Sequence, residues 1–168
     1  SDVEVVHEAE ENLRLRPHML KKYKIQEVIH AGQVMLLQVV KEERGNKGAA
    51  MTTYISLAGR CSVLIPNNHH GSGISRKISN QKDRKALRAI LDKLNIPEGM
   101  SVIIRTAGLG KTKTEIKRDV DYLMKTWNNI RELTLKSIAP KLIHQEGDII
   151  KRSLRDVFTP DIDEILIR

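Results

Sequence analysis

From Ile116, apolar residues recur through Val120, Leu123, Trp127 and Ile130 at steps of four, three, four and three. That spacing lays one stripe along a helix and predicts a long one over about 113–136. Ala86, Leu87, Ile90, Leu91 and Leu94 form a second stripe, predicting a helix from a cap at Ser79 to about Leu94. Ile149, Ile150, Leu154 and Val157 form a third, predicting a helix over 148–158 that Thr159-Pro160-Asp161 closes. Apolar runs without helical spacing read as strands at 33–40, 52–57, 62–65 and 101–105, with further ones at 141–144 and from 162 to 167. "PNNHHGSG", residues 66–73, reads as a loop. Residues 1–20 are acidic, then basic, and contain Pro17, so they are expected to be loop-like. Strands come first and mixed elements later, with no internal repeat, which predicts an α+β chain in more than one module.

The pattern breaks between the first two strands. "KEERGNKG", residues 41–48, joins them with Lys41, Arg44 and Lys47, two acids and two glycines, more than a tight hairpin needs. Charge makes this stretch interesting. The chain carries 29 bases and 21 acids, a formal net charge of +8. Five of the acids, Asp2, Glu4, Glu8, Glu10 and Glu11, lie in the first eleven residues, which hold no Lys or Arg. The remaining body is more basic still, as expected of a polyanion-binding module with an acidic flank. Cys61 is the single cysteine, which excludes an internal disulfide and a multi-cysteine zinc site and favours a cytoplasmic setting. No apolar run approaches the roughly 18 residues of a membrane span. Ser1 is not an initiator methionine, so the chain is expected to be a segment of something longer.

"RTAGLGKT", residues 105–112, looks at first like a phosphate-binding P-loop. That motif needs glycine five residues before Gly110, and Arg105 stands there, so a nucleotide site is rejected. A strand end, a glycine-rich turn and a helix start still favour anions. Arg105 adds a planar fork for two phosphate oxygens and Thr106 a hydroxyl donor; the competing reading is a surface arginine at a strand end. Lys41, Arg44 and Lys47 could track a nucleic-acid backbone or simply be a solvated loop. His69 and His70 are adjacent, hence on opposite faces of an extended chain, and lack a third ligand. His144 reads as a junction residue. Asp161, Asp163 and Glu164 read as a solvated face. Trp127 belongs to the core stripe, leaving Tyr54 as a lone candidate for base stacking.

Several stretches resemble the ribonuclease E/G family of bacterial endoribonucleases: "KEERGNKGAAMTTYISLAG", "GISRKI", "LNIPEGMSVIIRTAGLGKT", "LIHQEGDIIKRSLRD" and "DIDEILI". The likeness runs in order over nearly all of residues 23–168, and "KIQEVI", "ISRKISN" and "IKRDVDYLMKTWNNIRELTLKS" look most like alphaproteobacterial members. The resemblance implies an acidic flexible insertion over 1–22, part of an OB-type RNA-binding barrel over 23–53, a 5′-sensor subdomain over 54–146, and part of an RNase H-like subdomain over 147–168. It implies that Arg105 and Thr106 hold a 5′-monophosphate, that Gly59 and Val63 lie beside the terminal nucleotide, and that Arg76 supports them. Lys41 and Lys47, with Arg44 between them, would face the RNA backbone. "NHHGSGIS" departs from relatives that carry Pro and Arg at the pocket rim, and "SNQKD" is one residue longer than in some members.

The implied parent is a magnesium-dependent single-strand endoribonuclease of RNA processing and decay. It would be a zinc-linked homo-oligomer within an RNA-decay assembly, with peripheral membrane association open to it. Its metal-binding aspartates and zinc cysteines would lie beyond Arg168, so this segment is expected to hold no metal or catalytic residue. The alternative is a free-standing, non-catalytic RNA-binding module. The 33–40 run lacks strict alternation and is expected to be buried on at least part of both faces in the parent. In an isolated segment its open edge is expected to be disordered or to pair with another chain.

Overall fold

A computed structural model describes residues 24–68, 71–147, 149–158, 161–164 and 166. The acidic start, 1–22, and His69 and His70 lie outside the described residues. In chain order the elements are α1 (Ile25–Val28), β1 (Gln38–Lys41), β2 (Ala50–Thr52), β3 (Leu57–Ala58), β4 (Ser62–Ile65), β5 (Gly73–Ile74), α2 (Gln81–Leu91), β6 (Ser101–Ile104), a 3-10 turn (Thr106–Gly108), α3 (Lys113–Lys136) and α4 (Ile149–Val157). The fold is α+β, with two small sheets. Among the described residues no barrel closes.

The larger sheet has the order β3-β4-β6-β5. β4 runs antiparallel to β3 and β6. β5 lies parallel to β6, with α2 as the crossover that parallel neighbours require. β4 and β6 are buried along their whole length, which is why both read as apolar runs with no polar face. Alternate residues go to opposite faces. Leu64, Val102 and Ile104 meet the stripes of α3 and α2, including Ile116, Leu123, Leu87 and Leu91. Val63, Ile65 and Ile103 form a separate cluster with Ala58 on the other face.

α3 follows its spacing closely: all five residues of the predicted stripe are buried. Its start is fixed by a capping box. The Thr112 hydroxyl accepts from Glu115 N at 3.2 Å, and Glu115 Oε2 accepts from Thr112 N at 2.8 Å. The hydrogen bonds from Thr112, the backbone N–H first, hold the Glu115 carboxyl down at about 2, against an ordinary 4.5. A depressed carboxylate stabilises the fold above the unfolded value and loses that contribution as pH falls from about 4.5 towards 2. Thermal melts of Glu115→Gln and the parent are therefore expected to differ near neutral pH and to converge at pH 2. A gap that stays constant across that range would contradict the cap's role.

Some boundaries differ from the pattern. Asn80, not Ser79, caps α2, its amide oxygen accepting from Lys82 N at 2.9 Å. α2 ends at Leu91 because the next residues tighten into i→i+3 bonds, such as Leu94 N to Leu91 O at 3.0 Å. The 33–40 run becomes a strand only from Gln38 to Lys41, where β2 offers a partner. The 52–57 run is divided between two sheets. The chain bends after Thr52, whose hydroxyl accepts from Tyr54 N, and the Gln38 side chain then clamps Ser56 by both its N–H and its carbonyl, at 2.8 and 2.9 Å. Residues 141–144 and 162–164 are irregular, having no ladder partner among the described residues. β5 starts at the last residue of the expected 66–73 loop and is too short to carry a pattern.

Candidate nucleic-acid interface

Sheet order sets the site. β5 and β6 point the same way, so Arg76, two residues past β5, and Arg105, one past β6, leave the same end of the sheet. Ser62 of β4 pairs with Ile104 of β6. The turn from β3 to β4, residues 59–61, therefore lies at that end too. Arg105 N donates to Cys61 O at 2.9 Å, and Arg105 Nη1 donates to Gly59 O in a short bond. Arg105 is half-buried, and its guanidinium has donors beyond the one used on Gly59 O. Thr106 is exposed and opens the 3-10 turn, whose first N–H groups have no partner within it. Gly108 is buried where a Cβ would come 2.7 Å from the Ile104 side chain, so only glycine lets this turn lie against β6.

Beneath the β3–β4 turn stands Asp119 of α3. Its Oδ1 accepts from Arg60 N at 2.9 Å, and its Oδ2 accepts from Cys61 N at 2.9 Å and Ser62 Oγ at 2.6 Å. A Cβ at Gly59 would sit 2.5 Å from Oδ2. Burial, then the Asp119 charge, pushes the Cys61 thiol up. On the other side, Arg155 of α4 donates to Ala58 O at 3.1 Å. Its guanidinium also grips Asp156 at 2.8 and 3.0 Å, holding that carboxyl below its usual range, with the Arg105 charge contributing.

The sequence-predicted residues fall into separate groups. Gly59, Arg105 and Thr106 come together at one end of the sheet, and Arg76 leaves the same end from the outer strand β5. Val63 is buried in the cluster on the far face of the sheet. Lys41, Arg44 and Lys47 are exposed on the β1–β2 hairpin. There Arg44 and Lys47 exchange two backbone bonds of 3.0 Å around Gly45, whose φ of +57° favours glycine. Residues paired across such a ladder present side chains to one face, which gives the hairpin a basic tip. Gln38 of the smaller sheet bonds Ser56, one residue before β3, and Leu36, just before β1, packs against the core of the larger sheet.

A model of the Ribonuclease E/G family matches residues 56–168, more than half of the chain. The chain belongs to the ribonuclease E/G family. It is 48% identical over 143 residues to Ribonuclease E of Escherichia coli (strain K12), covering 85% of this chain and 13% of that protein. It is 36% identical to Ribonuclease E of Nostoc sp. over 85% of this chain and 20% of that protein. It is 34% identical to Ribonuclease G of Haemophilus influenzae over 85% of this chain and 29% of that protein. The chain thus spans a minor part of the ribonucleases it matches. The family match contains Gly59, Val63, Arg76, Arg105 and Thr106, whereas the hairpin bases precede its start at residue 56.

Sequence reasoning missed Asp119 and Arg155. Asp119 carried a signal: it lies three residues after Ile116 and four before Leu123, on the apolar stripe. A carboxylate there needs partners. Arg155 carried no comparable signal, since its contact with β3 spans 97 positions of sequence.

Proposed function

We propose that this chain is the RNA-binding, 5′-end-sensing part of a longer endoribonuclease, with Arg105 and Thr106 reading a 5′-monophosphate. The observation that supports this most is the Arg105 guanidinium, fixed by Gly59 O on one side and still holding donors for an anion. A terminal phosphate offers oxygens that a guanidinium takes two at a time. The Thr106 hydroxyl adds a donor. Arg76, at the same end of the sheet, adds charge, and the family likeness carries Gly59 and Val63 as neighbours of the terminal nucleotide. Lys41, Arg44 and Lys47 then meet internal phosphates, whose recognition carries no end specificity. In this reading residues 23–53 belong to an OB-type barrel, 54–146 to the sensor and 147–168 to an RNase H-like part.

Magnesium and zinc belong to the longer protein. Among the described residues no three His, Cys, Asp or Glu side chains converge as a metal site would require. The chain by itself is expected not to cleave RNA. Incubation with a 5′-monophosphorylated single strand and magnesium tests this; cleavage that persists through repurification and follows the chain would contradict it. Cytoplasmic residence, homo-oligomer formation, an RNA-decay assembly and peripheral membrane contact rest on the family likeness alone. No helix among the described residues is long and apolar enough to cross a membrane.

Amide chemical shifts test the assignment directly. A 5′-monophosphorylated oligonucleotide is expected to move Gly59, Arg105 and Thr106, while its 5′-hydroxyl counterpart moves only the hairpin around Lys47. Identical shift patterns for the two ligands would defeat it.

A further inference from the structure

We propose that Asp119 is the positioning residue of the Arg105 site, acting through the Gly59–Arg60 peptide; this rests on the 5′-monophosphate reading above. The Gly59 carbonyl and the Arg60 N–H belong to one planar trans peptide, so they point in opposite directions. Asp119 Oδ1 accepts from the N–H edge at 2.9 Å, and Arg105 Nη1 donates to the carbonyl edge. One rigid plate is therefore held from both sides. A rotation of that plate that frees Asp119 also takes the carbonyl away from Arg105.

Three further features fit this role. Oδ2 accepts from Cys61 N and Ser62 Oγ, so the carboxylate fixes the turn at three successive residues. The Cys61 carbonyl in turn accepts from Arg105 N, which anchors the backbone of Arg105 as well as its side chain. Gly59 has no room for a Cβ against Asp119, so the carboxylate is packed flat under the turn. A negative charge close to a phosphate site would ordinarily repel its ligand. Here its oxygens are occupied by three donors, and two of the carbonyls it helps to orient brace Arg105. Asp119 thus works from behind the site and is not expected to touch RNA.

The test compares binding of matched 5′-monophosphate and 5′-hydroxyl oligonucleotides to the chain and four variants, with a thermal melt for each. Asp119→Asn keeps the shape but leaves one acceptor oxygen where three donors converge. It is expected to lower the monophosphate preference about tenfold, as for loss of bonds to a charged group, with affinity for the 5′-hydroxyl strand unchanged. Val120→Ala, next along the same helix and buried, is expected to lower the melting temperature without changing the preference. If Asp119→Asn does not fold, Ser62→Ala takes its place, with an expected loss of about two- to threefold in preference. Arg105→Ala separates the two claims. If it abolishes the preference while Asp119→Asn, or Ser62→Ala in its place, leaves it intact, the positioning role is overturned and the sensor reading stands. If Arg105→Ala itself leaves the preference intact, the sensor reading fails and the positioning role with it.

Discussion

Arg105→Ala is expected to erase the preference for a 5′-monophosphate over a 5′-hydroxyl end, a loss of about 1.5–3 kcal/mol in binding of the phosphorylated strand. The size follows from the chemistry. A guanidinium and a terminal phosphate form charge-assisted bonds in pairs, and a 5′-hydroxyl offers no equivalent acceptor. Gly59 O holds the guanidinium in place before ligand arrives, so little ordering cost is added on binding. Lys47→Ala provides the contrast. Lys47 is exposed on the hairpin tip, and its loss is expected to weaken both strands alike and to lower the salt slope by about one. Affinities measured across a salt series distinguish the two variants. Equal weakening of both strands by Arg105→Ala would make Arg105 one more backbone contact.

The second large effect is on stability. Ile116→Ala is expected to cost about 2–5 kcal/mol. Ile116 is fully buried, where α3 packs on the sheet. Truncation removes contacts and leaves a cavity that a helix held along a whole stripe cannot collapse. Chemical denaturation gives the value. A loss below about 1 kcal/mol would mean that the α3 interface is not tightly packed.

How much of this was legible in the sequence depended on how far each signal reached. α3 was legible over its full length because five apolar residues kept one period, and β4 and β6 because burial on both faces leaves an unbroken apolar run. The place of Arg105 and Thr106, just past the end of a strand, was legible; that they bind an anion is the proposal. The start of α3 was expected to contribute free N–H groups, but Glu115 of its own first turn occupies the Thr112 N–H. The division of 52–57 between two sheets was not legible, since it depends on Gln38, 18 positions before Ser56. Asp119 was half-legible. Its place on an apolar stripe marks it as needing partners, but nothing in the sequence says that those partners lie 57 to 59 positions earlier.

The central claim is that this chain reads the 5′ end of RNA, and the most direct measurement is the affinity of the unaltered chain for two single strands identical except at that end. The account predicts tighter binding of the 5′-monophosphate strand, by about tenfold or more, at every salt concentration tested. Equal affinities for the two strands throughout the series would contradict it.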